Sequence, residues 1–185
     1  MQSLVKSLES KFNDLKIAIN KDKGKWPTAQ GVNALIVVYP PAEEKAYLKR
    51  AREDYGSEYI IDLAELFVKY IDKFGLKDFM KIYQNYRSTS VFVDDSSDHD
   101  DLLDLILTEI EKAEAEGKKP VLLRTGILYG TGIRNNDILE SEVVRKCKSP
   151  LIIFYPGTIK EDIREKERIY FLDAVKASDY RGHLI

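Results

Sequence analysis

Unbroken apolar runs are what most constrain this chain. Ala34-Leu-Ile-Val-Val-Tyr39 and Pro150-Leu-Ile-Ile-Phe-Tyr155 show no apolar/polar alternation, and Pro120-Val-Leu-Leu-Arg-Thr125 shows none before its Arg. A strand can be apolar at successive positions only if both its faces are covered. Tyr59-Ile-Ile-Asp-Leu63 is a shorter run of the same kind. Between the runs, apolar residues recur at helical spacing. Leu4, Leu8, Phe12, Leu15 and Ile19 form a stripe over residues 3–20, and Leu48, Ala51 and Tyr55 share one face before Gly56. Leu63, Leu66, Phe67, Tyr70, Ile71 and Phe74 do the same up to Gly75, and a further helix is expected from Leu76 to Tyr86. Leu102, Leu103, Ile106, Ile110 and Ala113 mark another before Gly117, and a last helix is expected from about Asn136 to Lys146.

Buried strands alternating with amphipathic helices predict parallel βαβ units with helices on both faces. The expected fold is therefore a three-layer α/β sandwich with a mainly parallel, Rossmann-like sheet. Gly24, Trp26, Pro27 and Gly31 interrupt the pattern early, and Val91-Phe92-Val93 reads as strand or loop. Beyond Gly157 the charged stretch from Lys160 to Arg168 reads as a loop. Ile169-Tyr-Phe-Leu172 and Tyr180 to Ile185 leave no room for a helical crossover between them, so they read as edge strands or a hairpin appended to the sheet.

The chain is 185 residues long, 44% hydrophobic and 32% charged, which suits one globular domain spanning residues 1–185 and excludes disorder, collagen and coiled coil. Lys and Arg total 29 against 31 for Asp and Glu, a net charge of −2 that offers no general field for nucleic acid, so DNA is expected only indirectly. One cysteine, Cys147, excludes an intrachain disulfide, and the polar opening MQSLVKSLESK lacks the apolar core of a secretion signal. No apolar run approaches the ~20 residues of a membrane span. A cytoplasmic location without membrane contact is expected.

The strongest candidate for a ligand or partner loop is Arg124-Thr-Gly-Ile-Leu-Tyr-Gly-Thr-Gly132, between a buried strand and a helix, where open α/β sheets place their crevices. Gly126, Gly130 and Gly132 permit close approach, Arg124 suits a phosphate or carboxylate, and Thr125, Tyr129 and Thr131 complete the lining. The loop matches neither dinucleotide nor P-loop patterns, and its plainer reading is a turn with a structural ion pair at Arg124. Tyr39 and Tyr155, with Gly157, are candidate rim residues at the strands' carboxyl ends. The adjoining Pro40, Pro41 and Pro156 remove N–H donors that a phosphate cradle needs.

Asp94, Asp95, Asp98, Asp100, Asp101 and Asp104 supply oxygen ligands, but their spacing departs from a calcium loop and suits the start of a helix better. Cys147 lies among Arg145, Lys146 and Lys148 with no motif tying it to His99 or His183. The lysines from Lys6 to Lys25 read as a solvated helix face. No nucleophile–base pair, metal set or Walker motif stands out, so a non-catalytic protein without cofactor or metal is expected.

Leu35-Ile-Val-Val-Tyr-Pro-Pro41, Leu122-Leu-Arg-Thr-Gly126, Leu151-Ile-Ile-Phe-Tyr-Pro-Gly157 and the ending Tyr180-Arg-Gly-His-Leu-Ile185 together resemble the BrxB family of bacterial BREX phage-defence systems. The resemblance spans most of the chain, its most telling blocks being R-T-G and F-Y-P-G. It implies an adaptor without an established catalytic centre, which binds the phosphatase-like protein PglZ, acts with other BREX components and supports phage restriction and host-DNA methylation. The alternative from the residues alone is a nucleotide- or phosphate-binding enzyme or sensor using the Arg124 loop.

Overall fold

The computed structural model describes residues 7–21, 33–86, 92, 101–161, 167–172, 175–176 and 182–185. The glycines and Trp of the early interruption, Val91 and Val93, Asp94 to Asp100 with His99, and Tyr180 and Arg181 lie outside them. The elements in chain order are α1 (Leu8–Asn20), β1 (Ala34–Tyr39), α2 (Glu44–Tyr55), β2 (Tyr59–Asp62), α3 (Leu63–Phe74) and α4 (Leu76–Tyr86). There follow α5 (Leu102–Ala115), β3 (Pro120–Leu123), α6 (Asn135–Leu139), α7 (Glu142–Lys146) and β4 (Leu151–Glu161). β5 (Glu167–Phe171), β6 (Val175–Lys176) and β7 (His183–Leu184) close the chain. Short 3-10 turns at Pro41–Glu43 and Thr125–Leu128 follow β1 and β3.

The fold is a three-layer α/β sandwich. Five strands lie parallel in the order β2-β3-β4-β1-β7, and β5 and β6 extend antiparallel from the far end of β4. From β1 the chain crosses β4 and β3 to reach β2 at the edge, then steps back through β3 to β4. Right-handed crossovers in opposite directions require opposite faces. Accordingly α1 and α2 cover one face with Phe12, Leu15, Tyr47, Ala51 and Tyr55, while α3, α5, α6 and α7 cover the other. Along β1 the faces alternate: Leu35, Val37 and Tyr39 join the first core, and Ala34, Ile36 and Val38 the second.

Several local readings change. The first core takes Tyr47 rather than Leu48 in line with Ala51 and Tyr55, leaving Leu48 partly buried. The expected helix over 136–146 is two helices, because Ser141 caps a new start, its Oγ accepting from the Val144 N–H at 3.3 Å. β4 does not end at Tyr155. Pro156 lacks a donor, yet it lies where β4 changes partners: it is in register with Tyr39 of β1, and its carbonyl accepts from the Leu172 N–H at 3.0 Å. Beyond it Gly157 pairs with Phe171, and the charged stretch read as a loop contributes paired strand residues, Lys160 with Arg168 and Glu161 with Glu167. The two last apolar pieces go to different neighbours: β5 pairs antiparallel with β4 and β6, whereas β7 lies on β1 as a parallel edge strand.

β7 pairs with only Leu35 and Ile36 of β1. Further along that edge the carbonyl of Val38 is met by Lys11, a buried residue of α1 whose ammonium donates to it and to the Ile185 carbonyl at 3.5 Å. A side-chain cation thus satisfies a strand carbonyl where the edge strand has run out.

A Cβ at Gly157 would lie 2.4 Å from the backbone oxygen of Tyr170. Gly157→Ala is therefore expected to force β4 and β5 apart and to cost about 1–3 kcal/mol in denaturant unfolding. At the opposite end of the sheet the Glu58 carboxylate accepts from the Lys119 N–H at 2.8 Å and its ammonium at 2.7 Å. Burial pushes its pKa up, but the Lys119 hydrogen bonds and charge outweigh it and hold the group below its ordinary 4.5. A lowered folded-state pKa contributes stability that is present above the unfolded value and lost as pH falls through the folded one. Melting temperature should therefore fall more steeply in acid below 4.5 for the native chain than for Glu58→Gln.

Candidate functional site

The carboxyl ends of β2 and β3 converge on one carboxylate. Asp62 is the last residue of β2 and the N-cap of α3, where its Oδ1 accepts from the Ala64 N–H at 3.1 Å. Its side chain is 4% exposed and receives two guanidinium groups: Nε of Arg124 on Oδ1 at 2.5 Å, and Arg52 of α2 on Oδ2. Arg124 reaches Glu65 with its other arm at 3.5 Å. It does so from a left-handed backbone, φ 56°, which a residue with a Cβ adopts only when its surroundings compensate. The hydrogen bond and charge of Asp62 lead in raising the Arg124 pKa further above its already high value.

The rest of the loop at 124–132 turns its polar side chains inward. The Thr125 hydroxyl is buried and donates to the Phe154 carbonyl at 2.9 Å. Thr131, also buried, donates to the Leu128 carbonyl at 2.8 Å and accepts from the Ile133 N–H at 3.2 Å. Gly126 lies against the neighbouring strands, since a Cβ there would sit 3.4 Å from Pro156 Cγ and 3.6 Å from Leu172 Cδ2. Gly130 and Gly132, at φ 85° and 86°, carry the turn that only glycine makes without strain. Tyr129 alone among the loop's large side chains faces solvent. It is 59% exposed, while its N–H donates to the Gly126 carbonyl at 3.1 Å and its ring lies 6.2 Å from that of Phe171.

The rim candidates are core residues. Tyr39 is fully buried, stacks on Tyr47 at 5.0 Å between centroids and donates to Glu44 at 2.9 Å. Burial first, then Glu44, pushes its hydroxyl far above an ordinary tyrosine. Tyr155 is buried with its ring 4.9 Å from Phe171, and buried Gly157 lies against β5. β4 runs on past the carboxyl end of β1, and its Pro156, with Leu172, backs the loop at Gly126.

Of the acidic cluster, Asp101 and Asp104 are described, and they form a reciprocal cap of α5: the Asp104 N–H donates to Asp101 at 2.8 Å and the Asp101 N–H to Asp104 at 3.3 Å. Cys147 is buried, its thiol donating to the Val143 carbonyl at 3.2 Å, and His183 lies in β7. Among the described residues no group of three or more His, Cys, Asp or Glu side chains could hold a metal ion, and no helix is long and apolar enough to cross a membrane.

Sequence reasoning placed Arg124 in the site but missed its partners. Asp62 carried a signal, a charge closing an apolar run just before a helical stripe. Arg52, one cation among several on α2, carried none. No family model, curated protein or solved structure matches the chain.

Removing the buried carboxylate strips two cations of their partner and α3 of its cap. Asp62→Ala should cost about 3 kcal/mol in equilibrium unfolding. Arg124→Ala should cost only about 1 kcal/mol, because Arg52 stays on Asp62 and the Arg124 side chain is partly solvated.

Proposed function

We propose that this chain is a non-catalytic adaptor of a BREX-type phage-defence system, of the BrxB kind. In this reading it binds the phosphatase-like protein PglZ in the cytoplasm and, with the other BREX components, supports phage restriction and host-DNA methylation. The observation that supports it best is the division of labour in the loop at 124–132: Arg124, Thr125 and Thr131 bond to the chain itself, and the side chain presented to solvent is the aromatic Tyr129. Exposed tyrosine on a backbone already ordered by its own hydrogen bonds is the chemistry of a protein-binding anchor. The resemblance in the R-T-G and F-Y-P-G blocks supplies the system and the partner.

The competing reading, a nucleotide- or phosphate-binding enzyme or sensor at Arg124, has less support. An anion there would have to compete with Asp62 for the guanidinium and would meet Glu65, and Glu44 is near enough to act on Arg124. Direct DNA binding is disfavoured by the net charge of −2.

Co-expression with PglZ is the test. The two proteins should co-purify at moderate salt, and Tyr129→Ala should weaken the complex about 30-fold, an anchor's contribution of about 2 kcal/mol, with an unchanged melting temperature. Failure of the native chain to associate with PglZ would overturn the reading.

A further inference from the structure

Among the described residues, only two that are not glycine have a positive φ: Arg124 at 56° and Leu172 at 48°. Both border the loop at 124–132. Arg124 opens it. Leu172, just past β5, backs it: its N–H donates to the Pro156 carbonyl at 3.0 Å, and its Cδ2 lies 3.6 Å from where a Cβ on Gly126 would stand. Such a backbone is costly for a residue with a Cβ, and it persists where the surroundings hold a functional segment against its preference. The segment held here carries Tyr129, whose ring lies 6.2 Å from that of Phe171, the residue before Leu172.

The strain at Arg124 has a visible compensation. The loop's other positive-φ positions, 130 and 132, are glycines, which take φ 85° and 86° without penalty. A turn that only had to redirect the chain would carry glycine at 124 as well. The arginine instead puts its Nε on Asp62 Oδ1 at 2.5 Å and its other arm on Glu65 at 3.5 Å, so carboxylates of β2 and α3 hold the side chain and, through it, the backbone. That backbone starts the turn: the Arg124 carbonyl accepts from the Ile127 N–H at 3.1 Å, and the Gly126 carbonyl from the Tyr129 N–H at 3.1 Å. One line of contacts thus runs from buried Asp62 through Arg124 and the turn to the exposed side chain of Tyr129.

We propose that Arg124 is a positioning residue for partner binding: clasped by Asp62, its left-handed backbone fixes the turn that presents Tyr129. This rests on the adaptor reading and adds to it the residue that orders the anchor before a partner arrives. Apparent affinity falls with the fraction of chains that hold the binding conformation, so a loosened turn weakens binding without any lost contact to the partner.

Three variants of the full chain test it. Arg124→Ala keeps the Cβ and loses the clasp, Arg124→Gly loses both, and Asp62→Asn keeps the cap of α3 while removing the charge that holds Arg124. Amide exchange followed by NMR should be about tenfold faster at the Tyr129 N–H in Arg124→Ala and Asp62→Asn than in the native chain, with the amides of β1 and β4 still far slower. Arg124→Gly should return it to within about threefold of native, because glycine takes the left-handed turn freely. PglZ binding should follow the same order, about tenfold weaker for Arg124→Ala and largely restored by Arg124→Gly. Adding Arg124→Ala to Tyr129→Ala should weaken binding no further. Loop exchange unchanged by Arg124→Ala and Asp62→Asn would overturn the proposal, and so would equal damage from Arg124→Gly and Arg124→Ala. Full additivity of the Arg124→Ala and Tyr129→Ala losses would overturn it too, since the guanidinium would then touch PglZ itself. Failure of the native chain to bind PglZ would sink the adaptor reading, while the exchange rates still decide whether Arg124 positions Tyr129.

Discussion

The structure depends on the pairing of β4 with β1. Both strands are apolar through six consecutive register pairs, from Ala34 with Leu151 to Tyr39 with Pro156, and both are covered on two sides. With no water at either face, their backbone groups must be satisfied by neighbouring strands or by side chains reaching in. β3 meets that demand on the far side of β4, and β7 on the far side of β1 until it stops, after which Lys11 takes the Val38 carbonyl. The helices follow from the same requirement, since a sheet apolar on both faces needs two layers to cover it.

β4 also decides what the carboxyl edge of the sheet can be. In open α/β sheets this edge is where ligands enter a crevice. Here β4 outruns β1, exchanges it for β5 at Pro156, and brings Pro156 and Leu172 against Gly126. The loop after β3 is thereby backed by protein. Its Arg124 is drawn sideways to Asp62, and Tyr129 is left pointing outward. A buried carboxylate holding two arginines from different elements ties α2, β2 and β3 together at that edge. Such a network maintains geometry, because every member left without its partner is costly.

Much of this was legible in the residues and some was not. The parallel sandwich could be read from Ala34 to Tyr39 and Leu151 to Tyr155, because a run with no alternation has few homes. The helix bounds at Gly56, Gly75 and Gly117 followed from glycine's place at helix ends. Arg124 was singled out correctly as lying at the strand end, but Tyr39 and Tyr155 were placed at a rim when both are core. A tyrosine at the end of an apolar run looks alike whether the strand stops there or its neighbour continues past it.

Local pattern thus determined the class of fold, most of the helices and buried strands, and the inward faces of α3 and α5, since hydrophobic periodicity reports which side of an element leaves water. Tertiary structure alone decided the strand order, the continuation of β4 past a proline, the convergence of Arg52 and Arg124 on Asp62, and which apolar residues, Tyr129 among them, stay exposed. These depend on contacts between residues ten to more than sixty positions apart. No periodicity within a single element encodes such contacts; they arise only when packing sets one element's end against another's.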